Sequence, residues 1–287
     1  MLNAQLLNNQ LGEAFTDRPF FNQDLVEKNE IKSIYGNFSH YKLGDALRET
    51  VLYRAYHFDR KGRLIKQYES RNSAKGIDTL VSIYEYDEKG NLTALRQRDE
   101  YGFYAYIYQY DSAGRVVREE YRRNLTRSRQ SATNFKLGKE FVVTYETATY
   151  QNFDFQEKKT VYNSYGVPYK DIMTYYNEQG QIISKEERLR RTSKGAITTY
   201  SYNDKGLLDS LKTVSDISAR QERLYVYEYN EFNNLYKKNY YKNGEHTTQH
   251  RVLYNDKTMT LESILIQNVA TAFIRILSLE EYIFFDD

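Results

Sequence analysis

A short motif recurs along the chain and constrains its fold more than any other sequence feature. The motif is an aromatic residue, any residue, a second aromatic residue, Asp or Asn, two further residues, Gly, any residue and an aliphatic residue. Recurrence at a near-constant spacing is typical of repeat proteins, so we expect one supersecondary unit to be used many times. Clear copies cover residues 56–64, 84–92, 108–116 and 200–208, and weaker copies begin at Tyr162, Tyr176 and Tyr227.

The motif predicts a β-hairpin whose turn contains a left-handed residue. Asp or Asn caps a type I turn with its side chain, and Gly follows in the left-handed conformation, where it forms a G1 bulge. In the last copy Asn233 stands in the place of Gly, and Asn tolerates left-handed backbone better than most residues. We therefore interpret these positions as structural turn residues. They are Asp59, Gly62, Asp87, Gly90, Asp111, Gly114, Asn177, Gly180, Asn203, Gly206, Asn230 and Asn233.

The spacing of the turn positions indicates a repeat of about 26 residues. The glycines at 62, 90, 114, 166, 180 and 206, followed by Asn233, are separated by 28, 24, 52, 14, 26 and 27 residues. The interval of 52 predicts one degenerate unit between residues 115 and 165, and the interval of 14 predicts an extra hairpin. A unit of this length holds two or three short strands with their turns.

The aromatic composition favours the same fold class. The chain contains 30 Tyr, 14 Phe, 2 Pro and no Trp, and Tyr suits a strand with one half-exposed face. The segments after the turns, such as residues 64–68 and 116–121, are short, β-branched and charged on one side, which is typical of antiparallel sheet. We predict an all-β fold, an antiparallel, twisted or curved sheet built from successive hairpins, either open or partly wound.

The motif copies resemble the YD repeats of the Rhs family of bacterial proteins. The closest copies are residues 58–64, 86–92 and 110–116, and the resemblance covers roughly residues 53–254. Residues 227–254 also resemble the last repeat of exported bacterial YD-like proteins. Long members of the family wind many repeats into a hollow shell around a toxin. With about eight units, this chain is expected to be a short, exported member without a toxin domain, located in the periplasm or at the surface of a diderm bacterium.

Two regions are predicted outside the repeats. Residues 1–40 lack the motif and are predicted to be an irregular segment that docks onto a β domain of residues 41–287. Residues 258–287 are the most apolar and are predicted to be closing strands, with a helix as the alternative.

Ala4 before Gln5 resembles the remnant of signal-peptide cleavage, and a cytosolic start is the alternative.

Several kinds of chemistry are not expected. The absence of Cys excludes disulfides and thiol catalysis. His246 and His250 are predicted to lie on one strand about 13 Å apart, too far to share one metal ion. No nucleophile elbow, phosphate loop or HExxH motif occurs, and no apolar run is long enough for a transmembrane helix. We therefore predict a non-enzymatic protein without catalytic, metal or cofactor residues.

A Tyr- and Arg-rich region is the candidate interaction surface. Tyr and Arg are prominent in protein interfaces, so we expect a non-enzymatic envelope protein that binds a larger assembly, such as an outer-membrane or secretion complex. Carbohydrate binding at the cell surface is the alternative. Nucleic acid is not expected as a partner, because Glu119 and Glu120 lie beside the basic residues and the net charge is only +2. The candidate residues are Tyr101, Tyr104, Tyr106, Tyr108, Arg122 and Arg123.

Overall fold

The computed structural model describes residues 6–74, 76–99, 102–125 and 138–286, and nearly all of their regular structure is β-strand. This confirms the predicted all-β class. In these ranges the elements are one helix, α1 (Gln23–Lys28), and eighteen strands: β1 (Ile31–Lys42), β2 (Arg48–Phe58), β3 (Leu64–Ser73), β4 (Gly76–Tyr86), β5 (Leu92–Asp99), β6 (Gly102–Tyr110), β7 (Val116–Asn124), β8 (Glu140–Phe153), β9 (Gln156–Tyr162), β10 (Pro168–Tyr176), β11 (Ile182–Leu189), β12 (Gly195–Tyr202), β13 (Leu208–Ser215), β14 (Gln221–Tyr229), β15 (Leu235–Lys242), β16 (Glu245–Tyr254), β17 (Leu261–Asn268) and β18 (Phe273–Phe284).

The chain forms two compact units. Unit 1 comprises Met1–Asp78, Thr199–Val214 and Gln221–Asp287, and unit 2 comprises Thr79–Thr198 and Ser215–Arg220. In unit 1, β14 to β18 pair in succession, β18 pairs with β1, and β1 to β3 pair in succession. In unit 2, β4 to β11 pair in succession. All of these pairings are antiparallel, as expected for a sheet of successive hairpins.

The turn between β2 and β3 illustrates the geometry of the motif. The Asp59 Oδ1 atom accepts hydrogen bonds from the backbone N–H groups of Lys61 and Arg63, both at 3.0 Å. Gly62 has φ 70° and donates its N–H to the Asp59 carbonyl at 3.0 Å. The strand register shifts at His57 and Phe58, directly before the turn. The other five predicted turns likewise place Gly90, Gly114, Gly180, Gly206 and Asn233 at positive φ.

The residue after the motif glycine binds the second oxygen of the capping Asp. Arg63 Nε donates to Asp59 Oδ2 at 2.7 Å, and Asn91 Nδ2 donates to Asp87 Oδ2 at 2.8 Å. Because hydrogen bonds to a carboxylate favour its charged form, the backbone N–H and side chain of Arg115 hold the pKa of Asp111 below its usual value. This explains why Arg or Asn follows glycine in the three copies with Asp.

Tyrosine hydroxyls link successive motifs. The last aromatic residue before a turn donates its hydroxyl to the carbonyl of the aliphatic residue that ends an earlier motif. The pairs are Tyr110 to Leu92 at 2.6 Å, Tyr229 to Leu208 at 2.8 Å and Tyr254 to Leu235 at 2.7 Å. Tyr282, within β18, donates to the Leu261 carbonyl in the same way at 2.7 Å. The motif tyrosine therefore contributes a hydrogen bond between hairpins in addition to apolar surface.

Removing one of these hydroxyls is expected to destabilise unit 1. Burial raises the pKa of Tyr254, and its hydroxyl bonds a backbone carbonyl, so Tyr254→Phe should lower the free energy of unfolding by about 1 kcal/mol. Urea denaturation followed by circular dichroism measures this change. Tyr165→Phe is the control, because Tyr165 is 88% exposed and its replacement should leave the urea midpoint unchanged. Equal midpoints for Tyr254→Phe and wild type would contradict the proposed role of the hydroxyl.

The irregular spacing of the motif has a structural explanation in unit 2. A turn between β8 and β9 divides the interval of 52 residues, and Phe155 has φ 56° there, a left-handed value that glycine takes in the motif turns. Gly166 lies between β9 and β10, at the opposite end of the strands from the turns at Gly114 and Gly180. The interval of 14 therefore reflects the use of motif-like turns at both ends of the strands.

The ends of the chain differ from the prediction at one boundary. β1 begins at Ile31, so the segment predicted to be irregular up to residue 40 contains a strand, which pairs with both β18 and β2. The segment between β1 and β2 contains no copy of the motif, so the repeat pattern did not reveal β1. The apolar segment after residue 258 forms β17 and β18, as preferred over the helical alternative.

The first residues described pack on the sheet of unit 1. Leu7 and Ala14 are fully buried, and the ring of Phe21 lies 4.8 Å from that of Tyr56. The buried ammonium group of Lys238 donates to the Ala14 carbonyl at 2.7 Å. An apolar and polar contact surface thus holds the N-terminal segment against strands at both ends of the chain.

The contribution of Lys238 to the stability of unit 1 is expected to rise with pH. Burial lowers the pKa of Lys238 to about 8, whereas an unfolded lysine titrates near 10.4. Between these values the unfolded chain binds more protons, so the folded state gains stability as pH increases. The neighbouring His250 stays neutral, since burial lowers its pKa to about 3.

Urea denaturation at pH 7.5 and 9.5 should show that the stability of wild type changes over this interval by roughly 2 kcal/mol more favourably than that of Lys238→Met. Lys242→Met, at an exposed position of the same strand, should respond to pH as wild type does. An identical pH response of wild type and Lys238→Met would show that Lys238 does not contribute. The pKa of buried tyrosines such as Tyr254 is raised in the folded state, so tyrosine ionisation in the unfolded chain lowers the stability of all three proteins towards pH 9.5, and the prediction concerns the difference between them.

Candidate interaction surface

Two strands of unit 2 bring three of the predicted surface residues together. The register of β6 and β7 places Tyr104 opposite Arg123 and Tyr106 opposite Tyr121, so all four side chains share one face. On the neighbouring strand β8, Phe141 is paired with Arg123, so it lies on the same face, and it is 43% exposed. We call these five residues the Tyr–Arg patch.

Ring and cation contacts hold the patch in one arrangement. The ring centroid of Tyr121 lies 6.1 Å from that of Tyr104 and 5.5 Å from that of Tyr106. The guanidinium carbon of Arg123 lies 5.4 Å from the Tyr104 ring and 5.7 Å from the Tyr121 ring, within the range of cation–π attraction. The Tyr104 hydroxyl also donates to Gln97 Oε1 at 2.9 Å. The three tyrosine rings therefore form a positioned, half-buried aromatic surface.

The other predicted surface residues do not belong to the Tyr–Arg patch. Arg122 is opposite Ala105 and therefore on the other face of the sheet. Tyr108 is only 4% exposed, so it belongs to the core. Tyr101 lies outside the described residues. The structure thus groups Tyr104, Tyr106 and Arg123 and places Arg122 on the opposite face. Tyr108 lies on the same face as Tyr106 but is buried.

Sequence reasoning missed Tyr121 and Phe141. The alternation of Tyr121 with Arg123 on β7 could have revealed the first, because residues two apart on a strand share a face. Phe141 gave no such signal, because the sequence between β7 and β8 contains no copy of the motif from which a register could be predicted.

An ionic network occupies the opposite face of the same strands. Glu120 is 5% exposed, and its carboxylate accepts hydrogen bonds from the Nε atoms of Arg118 and Arg122, both at 2.7 Å. Glu140 accepts from Arg122 at 2.6 Å and from Arg96 at 2.5 Å. Three arginines thus meet acidic partners here, since Arg96 Nε also donates to the Glu85 carboxylate at 2.7 Å.

The network lowers the pKa of its buried carboxylates. Burial alone would raise the pKa of Glu120, but the hydrogen bonds from Arg118 and Arg122 outweigh it, so the pKa is lowered. Arg122 and Arg96 lower the pKa of Glu140 in the same way, against the opposing effect of burial. The basic residues of this face are neutralised, which makes it a poor surface for a polyanion.

Two arginines at the end of β11, Arg188 and Arg190, are also paired with carboxylates. Arg190 donates to both carboxylate oxygens of Asp171, at 2.8 and 2.9 Å, and Arg188 donates to Glu186 at 3.0 Å. These contacts reduce the positive field that nucleic-acid binding requires.

The histidines of β16 pack against aromatic rings. His246 stacks on Tyr241 at 4.6 Å, and His250 stacks on Phe15 at 5.1 Å. Within the described residues, no group of three or more His, Asp or Glu side chains is arranged to hold a metal ion. In the same ranges, no helix has the length and apolarity needed to cross a bilayer.

A shallow cleft lies at one edge of unit 2. Its volume is about 290 Å³, and it lies beside the turn between β8 and β9. Phe153 and Phe155 in this turn are 56% and 60% exposed. The lining residues are Asn152, Phe153, Phe155, Gln156, Glu157, Tyr176, Asn177, Glu178 and Gly180.

Comparisons with known proteins do not define a family. No family model matches the sequence, and no curated protein matches it. A solved structure of TcdB2-TccC3-Cdc42 aligns over 78% of this chain and 14% of that chain, with 13% identity and a TM-score of 0.33. A porin-like protein from Bacteroides uniformis ATCC 8492 aligns over 87% of this chain and 98% of its own chain, with 12% identity and a TM-score of 0.36.

A third similar structure is the LolA superfamily protein NE2245 from Nitrosomonas europaea. It aligns over 91% of both chains, with 10% identity and a TM-score of 0.25. At these identities and TM-scores, the likenesses carry no argument about the function of this chain.

Proposed function

We propose that this chain is a short protein of the Rhs/YD-repeat type that acts as a non-enzymatic interaction protein of the bacterial envelope. The observation that carries the proposal is the Tyr–Arg patch on β6, β7 and β8. Its partner is a protein, in an outer-membrane or secretion assembly. The location is the periplasm or the cell surface of a diderm bacterium, as the resemblance of the motif copies to exported proteins implies.

The chemistry of the patch supports a protein partner. Tyrosine and arginine are enriched among the residues that dominate binding energy at protein interfaces, because they bury large surfaces and still form polar contacts. In the patch these residues lie on strands, which limits the entropy lost on binding. Val143, 51% exposed on the same strand as Phe141, adds apolar surface nearby.

The ring orientations favour a protein over a carbohydrate. A sugar ring stacks on a flat aromatic platform in a groove, whereas a protein interface is larger and uneven. The Tyr104 and Tyr106 rings are at 90° to each other, and the Tyr121 ring is tilted by 46° to both. The three rings therefore offer no coplanar platform for a sugar.

Affinity purification from a bacterial envelope fraction tests the proposal. Immobilised wild-type protein and the Arg220→Glu variant should recover the same specific partner, because Arg220 is an exposed residue outside the patch. Arg123→Glu should lose it, since the acidic side chain removes the cation–π contacts and reverses the local charge. Recovery of no specific partner, or equal recovery by all three proteins, would contradict the proposal. Hits on a glycan array that survive Arg123→Glu would also count against it.

A further inference from the structure

The turn between β8 and β9 departs from the rule of the neighbouring turns. In the turns at the same end of the strands of unit 2, Gly90, Gly114 and Gly180 take the left-handed positions, with φ between 76° and 87°. Phe155 takes its left-handed position with φ 56°. A side chain with a Cβ is strained in this region, and such strain is concentrated at functional sites.

The two phenylalanines of this turn do not serve the core. Phe153 and Phe155 are 56% and 60% exposed, so burial of their rings contributes little to folding. A glycine in place of Phe155 would suit the backbone better and expose less apolar surface. Stability therefore does not explain the choice of residue.

Both rings line the cleft at this edge, where Tyr176 adds a third ring. Two carboxylates, Glu157 and Glu178, line it as well. The faces of aromatic rings carry partial negative charge and attract cations, most strongly where a carboxylate is near. The cleft thus combines the two groups that recognise an organic cation.

The polar groups around the cleft are partly occupied. The Asn177 side chain is used by its own turn, where Oδ1 accepts from Gln179 and Gln181 at 3.1 and 2.8 Å. Asn152 Oδ1 accepts from Arg115 Nη1 at 3.1 Å. A polyhydroxylated ligand needs several free donors and acceptors, so the cleft fits such a ligand less well than it fits a cation.

The charge balance is favourable for a cation. Arg115 is held by Asp111, with Nε to Oδ2 at 2.9 Å, and its Nη1 lies 3.5 Å from Glu157. One positive charge thus faces two negative ones, and Glu178 adds a further negative charge at the rim. The charged residues that line the cleft are both acidic, which favours a cation as the ligand.

We propose that the cleft formed by Phe153, Phe155, Tyr176, Glu157 and Glu178 binds an alkylammonium group. The group is either a quaternary ammonium of a small molecule or the side chain of a lysine in a partner. The site shares no residue with the Tyr–Arg patch, so it is a second binding function, independent of the first.

Titration of the full chain with two cations tests the proposal and distinguishes the sources. Choline represents a quaternary ammonium, and N-acetyl-lysine amide represents a lysine side chain. Calorimetry or ligand-observed NMR should detect saturable binding of at least one of them. The neutral isostere 3,3-dimethylbutan-1-ol has the shape of choline without its charge, and it should bind at least about twofold more weakly, the factor that corresponds to the lower limit of a cation–π contribution.

Variants of the turn separate a binding role from a structural role. Phe155→Gly should weaken binding about fivefold or more and leave the melting temperature at or above that of wild type, because glycine relieves the left-handed strain. Glu178→Gln should weaken binding without altering the melting temperature. Phe232→Ala is the matched control, since Phe232 is 58% exposed at another turn and should leave binding unchanged.

Three results would overturn the proposal. They are absence of saturable binding by both cations, equal binding of the neutral isostere, and unchanged affinity in Phe155→Gly. The protein–partner assay with Arg123→Glu does not involve the cleft. Failure of the cation titration would therefore not affect the test of the proposed interaction function.

Discussion

Replacement of Gly62 with Val is expected to lower the free energy of unfolding by about 2–5 kcal/mol, as the sum of left-handed strain and overpacking. Gly62 has φ 70°, and a Cβ atom there would lie 2.1 Å from the Gln23 carbonyl oxygen and 2.7 Å from the Glu27 nitrogen. Both atoms belong to the backbone of α1, which cannot move without displacing the N-terminal segment from the sheet of unit 1. Urea denaturation measures the loss.

Gly90 provides the matched control. It has φ 87°, and a Cβ there would meet open space, so Gly90→Val should cost about 1–2 kcal/mol from left-handed strain alone. Gly90→Asn should be milder, because Asn tolerates this conformation and Asn233 occupies it at φ 65°. Gly62→Asn should stay severe, since its Cβ meets the same backbone atoms.

Two comparisons decide between accounts of these turns. Equal stability of Gly90→Val and Gly90→Asn would contradict the hairpin-turn interpretation of the motif. Equal losses for Gly62→Val and Gly90→Val would instead contradict the packing of α1 against the first motif turn.

Glu120→Gln is expected to destabilise unit 2 by about 2–3 kcal/mol, because it removes the carboxylate that Arg118 and Arg122 share and leaves Arg122 only its contact with Glu140. The estimate is below the usual loss for a fully buried pair, since Arg118 and Arg122 are 30% and 29% exposed. Asp45→Asn is the control. Asp45 lies 3.8 Å from Arg48 in a pair whose side chains are 50% and 75% exposed, so its loss should change stability by less than about 0.5 kcal/mol.

The same network predicts how stability depends on acid. The pKa values of Glu120 and Glu140 are lowered in the folded state, so their contribution is complete above the unfolded value of about 4.3 and is lost as pH falls through the lowered values. Between pH 5 and pH 3, wild type should therefore lose more stability than Glu120→Gln. Equal losses for the two proteins would show that this network does not control the acid sensitivity.

The fold was largely predictable because the chemistry of its turns is local. An Asp or Asn cap, a left-handed Gly and the residue after it lie within five positions, so each motif specifies its own hairpin. The turn after Tyr254 escaped notice because it is longer: Asn255 caps it, and Met259 takes the left-handed position with φ 57°. β1 escaped notice because its pairing with β18 is a contact between distant parts of the chain.

The candidate surface was less predictable because it depends on register. Alternation along one strand places Tyr104 and Tyr106 on one face, but the choice between Arg122 and Arg123 requires the pairing of β6 with β7. A bulge directly before the turn sets that pairing, and it shifts at Gln109 and Tyr110. The ionic partners of Arg122 lie on β7 and on β8, and no local sequence signal relates them.

Site-specific photo-crosslinking in bacterial cells tests the central claim most directly. A photoreactive phenylalanine analogue replaces Tyr106 in the Tyr–Arg patch or, as a control, Tyr165, which is 88% exposed on a turn of the same unit. We expect irradiation to yield a discrete crosslinked protein adduct from position 106 and none from position 165, because only the patch contacts the partner. Absence of an adduct at position 106, or adducts of equal yield at both positions, would contradict an interaction through this surface.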